Sequence, residues 1–236
     1  MALPKLNAAR YRTIVPSLNA EVEYRPYLVK EEKILMIALE SKDQKQILMA
    51  IKDVISNCVY DDLDVNILTM FDLEALFLKL RSKSVGETTE VKAACEHCEA
   101  ENKRVIKFDD IQMPVVDKKS STIALTDEVG ITLSYPKVSD LEKRESGDDV
   151  NSIDGMMEII IDCIDSIYDA DDVYSAKDSR REELKDFVDS LNSEQFALLA
   201  GYFQDLPHLK YNLEFKCGKC GEDNNIELRG LENFFG

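Results

Sequence analysis

TTEVKAACEHCEAENKRVIKF (residues 88–108) decides how this chain is read, because KYNLEFKCGKCGEDNNIEL (residues 210–228) repeats its plan. In each stretch a strand-like run leads into Cys-x-x-Cys, a polar turn follows, and a second strand-like run leaves. Two residues between cysteines let one tight turn offer two thiolates to a single ion, and a structural Zn²⁺ takes four in a tetrahedron. Cys95 and Cys98 supply one half of such a site, and Cys217 and Cys220 the other. If the halves meet, residues 99–216 become a loop closed by one metal. Loop-closure entropy grows only with the logarithm of length, so a folded insertion can stand between them.

Two other uses of paired cysteines compete with this one. Thioredoxin-like exchange wants a Cys-x-x-Cys at the start of a helix, where the macrodipole lowers the thiol pKa. Here Cys98-Glu-Ala-Glu-Asn and Cys220-Gly-Glu-Asp-Asn lead into turns and strands instead. Catalytic zinc keeps an open coordination position, whereas four thiolates close the shell. His97 lies inside the first knuckle as a substitute ligand or an exposed turn residue, and His208 has no metal-spaced companion. The spacing favours a closed structural site. No Gly-rich phosphate loop, G-x-S-x-G or H-E-x-x-H occurs, and two histidines leave few general bases, so no enzyme is expected.

Composition narrows the partners. With 46 acidic against 29 basic residues the formal charge is −17, which opposes the phosphate attraction that dominates nucleic-acid binding. Such a surface suits a basic or mixed protein partner, or simply solubility. No run approaches the roughly 18 apolar residues of a membrane span. The opening MALPKLNAARYRTIVP lacks a signal peptide's apolar core, so a soluble cytosolic protein is expected. A reducing compartment again favours metal over disulfides. The remaining cysteines, Cys58 and Cys163, fall on apolar helical stripes and are expected in the core.

Outward from the knuckles, the periodicities predict an α+β chain. Residues 1–20, with Pro4, Pro16 and the basic Lys5, Arg10 and Arg12, read as an extended N-terminal arm. Residues 21–85 read as a small helical domain: a short strand over Glu21–Leu28, then helices over Val29–Ser41, Asp43–Cys58 and Asn66–Ser82. Thr69 or Asp72 is placed to cap the last of these. The acidic loop Tyr60–Asp64 lacks the glycine and terminal glutamate of an EF-hand and reads as a helix connection. Residues 86–136 and 209–236 form the expected zinc-ribbon-like β domain, including a hairpin over Thr122–Leu125 and Val129–Tyr135. Residues 137–208 read as an inserted helical domain: an acidic loop at Glu145–Asp149, a helix over Ser152–Tyr168, a segment Ser179–Asp189, and a last helix with Ser193 and Gln195 near its cap. The closing Phe234-Phe235 either folds back onto the domain or stands out as a partner anchor.

Ile14-Val15-Pro16-Ser17, the run from Val22-Glu23-Tyr24-Arg25-Pro26-Tyr27 to Ile34-Leu35, and Asp72-Leu73-Glu74-Ala75-Leu76-Phe77 through Gly86 ahead of the first knuckle resemble the baseplate protein family of T4-like contractile-tailed phages. The resemblance is strongest from Ile14 to Asp109. It implies a non-enzymatic hub subunit or hub assembly factor, working through contacts with other baseplate hub or tail proteins. It further implies assembly in the host cytoplasm and, for a hub subunit as opposed to a transient assembly factor, a place in the tail baseplate of the virion. A cellular zinc-ribbon adaptor of transcription or translation is the alternative. Such an adaptor calls for a basic ribbon face, whereas Lys92, Lys103, Arg104, Lys107, Lys216 and Lys219 are matched here by Glu90, Glu96, Glu99, Glu101, Glu222 and Asp223.

Overall fold

Tyr11–Val15 (β1) and Ala20–Tyr24 (β2) pair antiparallel, with Tyr11 opposite Tyr24 and Val15 opposite Ala20. The computed structural model describes residues 8–116, 121–142 and 152–234; Lys5, the loop Glu145–Asp149 and Phe235 lie outside them. From Tyr11 onward the hairpin replaces the extended arm expected over residues 1–20, whose first seven residues lie outside the described ones. Its alternation is carried by Tyr11, Thr13 and Val15, and the intervening arginines are not free ends: Arg10 reaches Glu23 at 2.7 Å and Arg12 reaches Glu21 at 3.4 Å.

Three helices follow, α1 (Val29–Ser41), α2 (Gln44–Cys58) and α3 (Met70–Ser84). Asp43 caps α2 by accepting from the Lys45 and Gln46 N–H groups. α3 begins with a reciprocal box: Thr69 Oγ1 accepts from the Asp72 N–H, and Asp72 Oδ2 accepts from the Thr69 N–H. Both residues named from the sequence thus act at one cap. Asp72 is fully buried and also takes the Ser17 N–H at 2.8 Å and the Ser17 hydroxyl at 2.6 Å. A buried carboxylate is tolerated only when its lone pairs are filled, and these bonds tie the turn after β1 to the start of α3. Glu31 repeats the solution at α1. Burial pushes its carboxyl up, but Arg25 at 2.8 Å, the Leu28 N–H and Lys30 outweigh that and hold it at about 2.

After α3 comes the first knuckle hairpin, β3 (Thr88–Ala94) and β4 (Glu101–Lys107). The chain then leaves for a second compact unit, Val116–Leu206; residues up to Val115 and from Pro207 onward form the first. In the second unit, β5 (Thr122–Ala124) and β6 (Gly130–Leu133), which the sequence reading assigns to the zinc-ribbon-like β domain, pair with neither knuckle hairpin. They are hydrogen-bonded into a four-stranded antiparallel sheet, β5-β6-β7-β8, with β7 (Ile164–Tyr168) and β8 (Val173–Ser175). Helices α4 (Val138–Glu142), α5 (Ile153–Cys163), α6 (Arg181–Asp189) and α7 (Ser193–Gln204) complete the unit.

The helix expected over Ser152–Tyr168 therefore stops at Cys163. Its apolar stripe runs on to Ile167, but Ile164–Tyr168 finds a ladder on both sides, opposite β6 and β8, and pairing overrides the helical period. Residues 137–208 are consequently mixed, not purely helical. The cap of α7 is Asn192, exchanging bonds with Gln195, in place of Ser193. Ile131, Leu133, Ile160, Ile161, Val188 and Leu199 make this unit's core, and Cys58 and Cys163 are both buried.

Returning to the first unit, β9 (Lys210–Lys216) and β10 (Asp223–Arg229) form the second knuckle hairpin. The chain as a whole is α+β. The two knuckle hairpins are separate two-stranded sheets that share one core: Val91, Ala93, Ile106 and Phe108 from one side, Leu213, Phe215 and Leu228 from the other, with Leu78 of α3. Phe234 is fully buried in that core, so this half of the Phe234-Phe235 pair folds back, and its carbonyl accepts from Thr89 Oγ1 at 3.1 Å. No helix among the described residues is long and apolar enough to cross a membrane.

Candidate metal centre

Each knuckle is built by its own backbone. The Cys95 N–H donates to Ala100 O at 3.0 Å and the Glu99 N–H to Cys95 O at 2.8 Å; the Cys217 N–H donates to Glu222 O at 2.9 Å and the Gly221 N–H to Cys217 O at 3.1 Å. The residue after the second cysteine turns left-handed in both, with φ of 58° at Glu99 and 79° at Gly221. Glycine adopts that region freely, whereas glutamate does so at a cost.

The core shared by the hairpins then brings the knuckles together. All four Sγ atoms of Cys95, Cys98, Cys217 and Cys220 lie within 4.8 Å of one another. Two close approaches cross between the hairpins: Cys95 to Cys220 at 3.6 Å and Cys98 to Cys217 at 3.7 Å. A tetrahedron with Zn–S bonds of about 2.3 Å has edges of about 3.8 Å. The donor set and spacing fit such an ion, and the sulfurs stand well beyond the roughly 2 Å of a disulfide. The four cysteines of the two Cys-x-x-Cys pairs are all in the cluster. His97 is exposed beside it and His208 is not among its members.

Sequence reasoning missed two residues of the site. Asn102 and Asn224 are both buried, and each reaches across to the other hairpin's knuckle. Asn102 Oδ1 accepts from the Gly218 N–H and Asn224 Oδ1 from the Glu96 N–H, both at 2.9 Å. Each also donates to a carbonyl of its own turn, Ala100 O at 2.8 Å and Glu222 O at 3.0 Å. The signal was available: both stretches read Cys-x-x-Cys-x-x-x-Asn.

Hydrogen bonding prepares the thiols unequally. The Cys220 and Lys219 N–H groups, with the Asn102 amide at 3.7 Å, draw the Cys217 thiol down to about 5. Cys95 is also lowered: burial opposes ionisation, but the His97 and Cys98 N–H groups and Asn224 prevail. At Cys220 the Glu222 N–H favours the thiolate, yet burial and the three neighbouring sulfurs push the group up to about 12. Four sulfurs this close cannot all ionise unless a cation screens them, which is the electrostatic requirement a divalent metal meets.

Some of the surrounding charges are paired locally. Lys103 pairs with Glu90 at 2.9 Å and Lys92 with Glu101 at 4.0 Å. Arg104 donates to Lys216 O at 2.7 Å while its guanidinium lies 5.1 Å from the Phe215 ring centre.

A family profile described as "T4 bacteriophage base plate protein" matches residues 8–236, both knuckle hairpins and the unit between them included. The chain belongs to that family. The match runs through residues 110–210, beyond the stretch where the resemblance was strongest. No curated protein and no solved structure matches the chain. Membership gives the protein a structural role in the phage baseplate, in the setting of other tail proteins.

Proposed function

We propose that this protein is a non-enzymatic component of the central baseplate hub, acting in hub assembly through protein–protein contacts and carrying one structural Zn²⁺ on Cys95, Cys98, Cys217 and Cys220. The observation that carries the reading is the family match over residues 8–236. The closed four-sulfur cluster supports it from the chemical side, because four thiolates leave no coordination position for a substrate. When bound, the metal supplies a fixed cross-link between two hairpins whose own core is small. The paired charges around the hairpins speak against the adaptor alternative, since lysines already matched by glutamates offer little to a phosphate backbone.

Affinity purification from infected cells, with partners identified by mass, tests the reading. Hub and tail proteins are the expected companions, and the chain itself is expected in purified virions. Recovery with nucleic acid in a salt-sensitive complex, and no tail protein, overturns it. Presence in assembly intermediates without presence in virions would revise hub component to assembly factor.

A further inference from the structure

Although far apart in sequence, the two asparagines obey one rule: each belongs to one hairpin and, besides bonding its own turn, serves the knuckle of the other. Asn102 sits at the start of β4, yet its Oδ1 takes the N–H of Gly218, next to Cys217. Its Nδ2 lies 3.7 Å from Cys217 Sγ. Asn224 sits at the start of β10 and takes the N–H of Glu96, next to Cys95. Both side chains are almost completely removed from water, at 6% and 5% exposure, so these bonds have no solvent competitor.

We infer that Asn102 and Asn224 are reciprocal positioning residues for the metal, each orienting the opposite knuckle so that the two half-sites take up or release the ion together. The inference rests on the zinc reading above. Its physical basis is that an amide in this place does two things at once. The carbonyl oxygen fixes the peptide that follows the first cysteine, which sets where that sulfur points. At Asn102 the amide group also faces the Cys217 sulfur, where it offsets part of the net −2 charge that four thiolates leave around a divalent cation. A serine is too short to do both, and an aspartate keeps the acceptor but replaces the donor with negative charge.

The reciprocity makes the inference separable from a role in local folding. A residue that only shaped its own turn would, when changed, loosen its own knuckle. A residue acting across the pair loosens the other one. The experiment uses the full-length protein loaded with zinc, and separately with cobalt(II), carrying Asn102→Asp or Asn224→Asp, with Asn102→Ser and Asn224→Ser as uncharged variants. Metal retention is read by competition with a chromophoric chelator. Thiol exposure is read cysteine by cysteine by alkylation and mass spectrometry. Loss of about 10- to 100-fold in metal affinity is expected, the range typical of groups that orient metal ligands. Cys217 and Cys220 should alkylate first in the Asn102 variants, and Cys95 and Cys98 first in the Asn224 variants.

Unchanged retention in folded variants overturns the inference and leaves the zinc site standing. Alkylation that begins at the variant's own knuckle also overturns it, as does global unfolding of both the aspartate and serine variants with metal still bound. A wild-type protein that is folded and binds no metal removes the zinc reading itself, and this inference with it.

Discussion

The two knuckle hairpins are built to one plan and finished differently. β3 and β9 bury the same alternate positions, as do β4 and β10, and each hairpin contributes two cysteines and one buried asparagine. Yet the first places Glu99 where the second has Gly221, at the left-handed position of the turn. The first also sends Arg104 across to Lys216 O and the Phe215 ring, while Ile226 holds the matching place in the second. What is shared is what the cluster requires. What differs is what each hairpin adds on its own account, so the shared parts should respond alike to substitution and the rest should not.

The largest expected effect tests the shared part. Cys95→Ser and Cys217→Ser should each abolish stable metal binding and lower stability by more than about 4 kcal/mol, equally from either hairpin. Metal analysis and thermal unfolding check this, and a large difference between the two breaks the equivalence. Next, Arg104→Ala should cost about 1–2 kcal/mol through the lost hydrogen bond and ring contact, while Ile226→Ala is not matched to any such bond and reports only packing. Chemical unfolding with metal held saturating separates them. The smallest effects concern the turns and should carry opposite signs. Gly221→Ala should cost about 1 kcal/mol; an added Cβ meets nothing within 4 Å there, so the whole cost is backbone conformation. Glu99→Gly should stabilise by about 0.5 kcal/mol, because the relieved strain is partly offset by glycine's greater freedom in the unfolded chain. The same sign for both changes would show that the turns are not equivalent.

Much of this centre was legible in the sequence because it is local. Cys-x-x-Cys needs only one turn to make half a site, and the alternation of Val91 and Ala93 or Leu213 and Phe215 is visible in a single strand. The same holds for the cap at Thr69 and Asp72. What escaped depended on partners distant in sequence. Asn102 and Asn224 act on the opposite hairpin, so nothing beside them in the chain shows what they do, although their equal distance from the first cysteine was a readable sign. Ile164–Tyr168 carries a helical stripe and becomes a strand only because β6 and β8 flank it. Tyr11–Val15 reads as part of an arm because prolines and a basic cluster mark the stretch and no apolar period is sustained, while the strand it pairs with comes later in the chain.

If one ion joins two halves of the chain, the count of metal and protected thiols in the purified protein shows it directly. One zinc per chain is expected, with four cysteines shielded from alkylation and all four released together when the metal is stripped. A folded protein free of metal, or one in which Cys95 and Cys98 are released independently of Cys217 and Cys220, would contradict it.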